Sequence, residues 1–149
     1  MVVSRMRFTL RQARSDDAPA TSRLLAELGY RVCERDVRAG LERASGANDE
    51  HVIAVTTGEE LVGLAALTIE PAAEAGRLSA LFVSEPLRNQ GAGRILLAAA
   101  EAVASAGGCS RLEASAAGPN GRRFLREVGF DERSGRLVKP LARVVALDD

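Results

Sequence analysis

Between residues 76 and 116 the hydrophobic period changes twice, and no other stretch constrains the fold as much. "GRLSALFV" (76–83) reads as a strand, which Glu85-Pro86 ends. Gly91 then opens an apolar, alanine-rich helix that runs to about Ala106 and closes at Gly107-Gly108. "RLEASA" (111–116) returns to strand. A strand, a helix and a second strand in succession form a crossover, so 76–83 and 111–116 are expected to pair in parallel.

The rest of the chain points to antiparallel pairing around that unit. "RFTLRQAR" (7–14) alternates Phe8 and Leu10 with Arg7, Thr9 and Arg11, as a strand with one buried face does. Ser15 or Asp16 can cap a helix with Pro19 in its first turn and Leu24, Leu25 and Leu28 on one face; Gly29 stops it. "CERDVRAGLERA" (33–44) is a second helix, and "SGAND" breaks it. "HVIAVTT" (51–57) and "LVGLAALTI" (61–69) flank Gly58-Glu59-Glu60 as a hairpin. Further on, "GPN" is a turn and "GRRFLREV" (121–128) a short helix. "GF" (129–130) opens a strand, and "GRLVKPLARVVAL" (135–147) is a last extended segment interrupted by Pro140. The order β-α-α-β-β-β-α-β-α-β-β implies an α+β fold, with a mixed, mostly antiparallel sheet flanked by helices.

Composition narrows the function classes. A chain of 149 residues, 46% hydrophobic, suits one domain over 1–149 with a real core. Lys+Arg and Asp+Glu both number 20, so no basic excess points to nucleic acid. Aromatic content of 3% offers no stacking platform for bases. No run reaches the roughly 20 apolar residues of a membrane helix. The N-terminus lacks the apolar segment of a signal peptide. Cys33 and Cys109 lack C-x-x-C spacing, so no metal is expected. Both are expected as small buried residues in a reducing, cytoplasmic setting.

The glycines of "EPLRNQGAGRILL" stand where a strand gives way to a helix. The first N–H groups of a helix have no internal partner, and the helix dipole adds positive charge there. Such an end suits phosphate. Gly91 and Gly93 bar no ligand, and Arg88 and Arg94 flank them with positive charge. A diphosphate is a plausible guest. The pattern is not G-x-x-x-x-G-K-[ST], and Leu96 stands where the dinucleotide fingerprint needs its third glycine. The other reading is a helix start with glycines for tight packing.

The segment "LSALFVSEPLRNQGAGRILL" resembles the signature of the GNAT N-acetyltransferase superfamily: an apolar strand, a proline soon after, then R/Q-x-x-G-x-G/A. "RFTLRQARSDDAPATSRLLAEL", "EELVGLAAL" and "RRFLREVGF" resemble the family's first strand and helix, its third strand and its C-terminal helix, in the right order. "AELGYRV" and "RLVKPL" are similar to a bacterial subset of small members.

The resemblance implies the GNAT acyl-CoA N-acyltransferase fold and acetyl-CoA as cosubstrate. It implies acetyl transfer to a primary amine of a small molecule or protein by direct attack on the thioester. It assigns the pyrophosphate to Arg88, Asn89, Gln90, Gly91, Ala92, Gly93 and Arg94, and the pantetheine and acetyl carbonyl to the backbone of Leu81, Phe82 and Val83. Asn120 and Phe124 are further cofactor candidates, and Asn120 reads equally as a turn residue. Tyr30 lies near the acceptor side. A backbone N–H near Val83 is the candidate oxyanion donor.

Two departures stand out. Where many members have Tyr five residues before the phenylalanine of G-F, this chain has Leu125. The early fourth strand, "RLSAL", offers no carboxylate. No side chain is therefore assigned as general acid or base. Glu70, Glu74, His51 and Ser79 each read as surface or strand residues, with Ser79 on the opposite side of its strand from Phe82. The alternative function is a non-catalytic acyl-CoA-binding module. A homodimer through "LARVVAL" as an exposed edge is a further expectation.

Overall fold

The computed structural model describes residues 7–115 and 118–141. Along the chain lie β1 (Thr9–Gln12), α1 (Ala18–Glu27), α2 (Glu34–Gly46), β2 (Glu50–Thr57), β3 (Glu60–Glu70) and β4 (Ala75–Val83). Then follow α3 (Ala92–Ala106), β5 (Arg111–Ala114), α4 (Gly118–Glu127), β6 (Asp131–Arg133) and β7 (Arg136–Pro140). The strands form one sheet of seven in the order β1-β2-β3-β4-β5-β7-β6. β4 and β5 pair in parallel, as the crossover requires, and every other pair is antiparallel. The expected element order and α+β class hold.

The sheet separates two apolar layers. On one face Leu96, Leu97 and Ala100 of α3 pack on Val55, Ala65, Leu67 and Leu78, and Leu125 and Phe130 join them. On the other, Leu24 of α1 and Leu41 of α2 cover Ala54, Leu61 and Leu64. α3 lies close to the sheet because Gly63 has no side chain. A Cβ there would stand 2.8 Å from Val55 Cγ1 and 3.0 Å from Leu96 Cδ1.

Local chemistry explains where boundaries differ from expectation. Neither Ser15 nor Asp16 caps the first helix. Ser15–Asp17 form a 3-10 turn before α1, and the buried Asp17 carboxylate accepts the Arg14 N–H at 2.7 Å. Asp17 is also gripped by Arg11 through two bonds of 2.7 Å. That guanidinium holds its carboxyl below the usual carboxylate range. Gly29 does end the first helical segment, at φ +91°, with Tyr30 N donating to Leu25 O. α2 runs through Ser45-Gly46, so the break comes two residues later than expected. The expected turn at Gly118-Pro119-Asn120 is the first turn of α4, where proline's missing N–H costs nothing. β7 ends at Pro140, and the remainder of the last segment, with the edge expected to dimerise, lies from residue 142 outside the described residues. Cys109 is buried, and burial pushes its thiol up, but Cys33 is exposed, because it begins α2 at the surface.

Candidate functional site

The site begins with an irregularity in β4. Ala66 of β3 pairs with Ala80, yet Leu67 pairs with Leu78, so Ser79 is an extra residue on the β4 side. Its hydroxyl donates to Ala66 O at 3.3 Å. Such a bulge reverses the alternation of side chains. Leu78 shares the α3 face with Leu81 and Val83, while Phe82 faces α1 and α2. An unbroken strand would have put Leu78 with Phe82. The expectation that Ser79 faces away from Phe82 assumed that unbroken strand.

At the same place β4 parts from β5. Among the described residues their ladder ends at Leu78↔Ala114, whereas β4 continues to Val83 with β3 as its partner. The backbone directions in the freed half follow from one bond. Ser84 N donates to Val62 O of β3 at 2.8 Å. On an extended chain the preceding N–H points the other way. The Val83 N–H, and by the same alternation that of Leu81, therefore face the opening left by β5.

The chain then turns through a 3-10 segment, Glu85–Gln90, anchored by the buried Leu87. Arg88 and Asn89 lie in this segment, and Gln90 at its exposed end. Gly91 joins the turn to α3 at φ +94°, a left-handed conformation that glycine alone adopts without strain. Gly91, at the N-cap, has no side chain with which to cap the helix, and its carbonyl accepts the Ile95 N–H at 3.1 Å. The N–H groups of the helix's first turn thus lack intrahelical acceptors. Ala92 and Gly93 are buried and Arg94 is exposed. This end of α3 can hold an anion beside the opening in the sheet.

Tyr30 approaches from the other face. It is 42% exposed, and its ring meets Phe82 edge-on, with centroids 5.2 Å apart and planes at 68°. Phe124 of α4 reaches the loop, with Cζ 3.2 Å from where a Gly93 Cβ would be. Asn120 lies in the first turn of α4. Leu125, beside Phe124, is only 6% exposed and faces the core.

The structure does not bring the remaining polar residues to this end. Glu70 pairs with Arg77 at 3.2 Å and sits opposite Ala75, at the far end of β4. Glu74 is there too, its carbonyl accepting Ser110 N. His51 is half-buried on β2 opposite Leu67, two strands from β4. Two features of the site escape sequence reasoning, the bulge at Ser79 and the seating of Phe124 on Gly93. A cavity of about 420 Å³ also opens beside Arg94, lined by Leu97, Glu101, Val128 and Lys139. Glu101 and Lys139 form an ion pair of 2.6 Å there. Among the described residues no helix is long and apolar enough to cross a membrane, and no His, Cys, Asp or Glu cluster suits a metal.

Several known proteins share this architecture. An acetyltransferase from Thermus thermophilus has a TM-score of 0.77 and 24% identity, over 93% of this chain and 100% of that one. The PaiA N-acetyltransferase from Thermoplasma acidophilum, solved with coenzyme A, scores 0.76 at 16% identity, over 91% and 99%. The N-acetylglutamate synthase from Neisseria gonorrhoeae, complexed with coenzyme A and N-acetyl-glutamate, scores 0.75 at 27% identity, over 94% of this chain but 36% of that one. A comparison with curated proteins gives no match. Residues 11–130 match the profile of the acetyltransferase (GNAT) family. That span runs from β1 to Phe130 and takes in the opening, the glycine loop and α4, and the chain therefore belongs to the acetyltransferase (GNAT) family.

Proposed function

We propose that the chain works as one domain over 1–149 that transfers the acetyl group of acetyl-CoA to a primary amine of a small molecule or protein. Family membership makes acetyl-CoA the cosubstrate. The observation that carries the reading is the freed half of β4, where the Val83 N–H faces the opening, one short turn before a helix whose N-cap is glycine. The diphosphate lies against residues 88–94 with Asn120 and Phe124 nearby, and the pantetheine runs along residues 81–83. Tyr30 lines the acceptor side.

The chemistry then follows from the groups present. The amine nitrogen attacks the thioester carbonyl carbon, and a C–N bond forms while the C=O pair moves to oxygen. The Val83 N–H is aimed to stabilise that oxyanion. The carbonyl re-forms as the C–S bond breaks, CoA leaves as thiolate, and the proton shed by the attacking nitrogen passes to solvent or to that thiolate. A free alkylamine has a pKa of about 10.4, so its proton must pass to water or a relay before attack. Tyr30 and Phe82 make the acceptor wall aromatic. The reading keeps a cytoplasmic setting.

A second reading, acyl-CoA binding without turnover, draws on one observation. Leu125 is turned into the core, so α4 supplies no acid from the position where the family often has tyrosine. One experiment separates the two. Calorimetric titration with acetyl-CoA, against NAD and ATP, is followed by a panel of amines scored for acceptor-dependent thiol release. Selective binding with release supports the transferase. Binding without release from any amine supports the second reading. A folded protein that binds no acetyl-CoA overturns both.

A further inference from the structure

The two glycines of the loop are glycine for different reasons. Gly91 needs its φ of +94°, and a Cβ there would meet nothing within 4 Å. Gly93 has an ordinary helical place but a tight one, where a neighbour would have to give by a few tenths of an ångström. A Cβ there would lie 3.2 Å from Phe124 Cζ, 3.6 Å from Cε1 and 3.8 Å from Cε2. The ring thus meets the first turn of α3 tip first, where a methyl group would otherwise sit.

The base of that ring is held firmly. The neighbouring Leu125 is buried, and its carbonyl accepts the Phe130 N–H at 2.9 Å. On the outer face Arg122 and Arg126 both pair with Glu132 of β6. Phe124 is therefore a strut from a fixed helix to the start of another. It also packs against the α3-side core.

We propose that Phe124 is a positioning residue for the acyl donor: seated on Gly93, it fixes the first turn of α3 and so aims that turn's backbone N–H groups. The inference rests on the reading of that turn as the diphosphate site. It departs from direct contact between ring and donor, because the ring acts through Gly93. Hydrogen bonds weaken steeply as donors swing off line, so a small tilt of the turn suffices to lose affinity.

The test is a double-mutant cycle on the full chain, with acetyl-CoA affinity, steady-state kinetics and thermal unfolding measured for each variant. Phe124→Ala is expected to weaken acetyl-CoA binding about tenfold. The KM for acetyl-CoA should rise by the same factor, with kcat and the acceptor KM within about twofold. Phe124→Leu, whose branched end still reaches toward the turn, should lose less affinity than Phe124→Ala. In the Phe124→Ala background, Gly93→Ala should restore affinity, because its methyl fills the vacated space; the two changes would then be non-additive. Wild-type affinity in Phe124→Ala, additive losses, or a fall in kcat with affinity intact would each overturn the proposal. If Phe124→Ala does not fold, Gly93→Ala decides: it should weaken binding, and Phe124→Leu beside it should restore binding. A wild-type protein that binds no acetyl-CoA removes the diphosphate reading and this proposal together. A binding wild type with an indifferent Phe124→Ala removes only this one.

Discussion

Over residues 75–78, β4 is paired on both edges, with β3 on one side and β5 on the other. Over residues 79–83 it keeps β3 alone among the described residues. The first half is packed to the limit: a Cβ on Gly76 would stand 3.0 Å from Ala104 Cβ and 3.0 Å from Leu112 Cδ1. The second half is only part-buried from Ala80 on. One strand thus serves as core in one half and as an open ledge in the other. The difference teaches that one strand can leave the sheet over half of its length, and that the bulge at Ser79 marks where release begins.

The comparison can be broken most severely at Val83. Val83→Pro removes the N–H that faces the opening while leaving the bonds to β3 intact, as proline is tolerated where an N–H faces away from a ladder. Turnover should fall by about 10²–10³, the usual loss on removing one oxyanion donor, with little change in Tm. An unchanged kcat would mean that the donor lies elsewhere. Gly76→Val tests the other half. Overpacking against Ala104 and Leu112 should cost about 1–3 kcal/mol in denaturant unfolding. A neutral result would show that the clamped half is slack. Gly91→Ala probes the loop where the ledge ends. A positive φ on alanine should cost about 1 kcal/mol, read as a lower Tm. Ser79→Ala should do least, below about 0.5 kcal/mol, since it removes one exposed 3.3 Å bond and leaves the backbone bulge. A marked loss of turnover there would transfer the role from the bulge's geometry to the hydroxyl.

Much of this was legible in the sequence because periodicity and glycine punctuation are local signals. The crossover from 76 to 116, the hairpin at Gly58 and the stop at Gly29 needed only neighbours a few residues away. What stayed hidden depends on distant partners. "LSALFV" reads as regular alternation, and only pairing with Ala66 and Leu67 shows that Ser79 is extra. Gly93 reads as room for a ligand, and only folding brings Phe124 to it from far downstream. Position 125 reads as lacking an acid from its identity alone, but its burial needed the core around Phe130 and Leu137. The turn expected at Pro119 failed because proline suits a loop and the first turn of a helix equally well.

Ser79 also gives β4 a parity. Every residue after it is displaced by one from the count that precedes it. Deleting Ser79 would cancel that displacement without turning the strand over: Ala80 would still meet Ala66, Leu81 would still meet Ala65, and Phe82 would keep Leu64 opposite it and Tyr30 beside it. What would go is the bend, because a strand without its extra residue runs straight along β3. The faces of β4 are thus set by its pairing with β3, and the ledge by one residue that has no counterpart there.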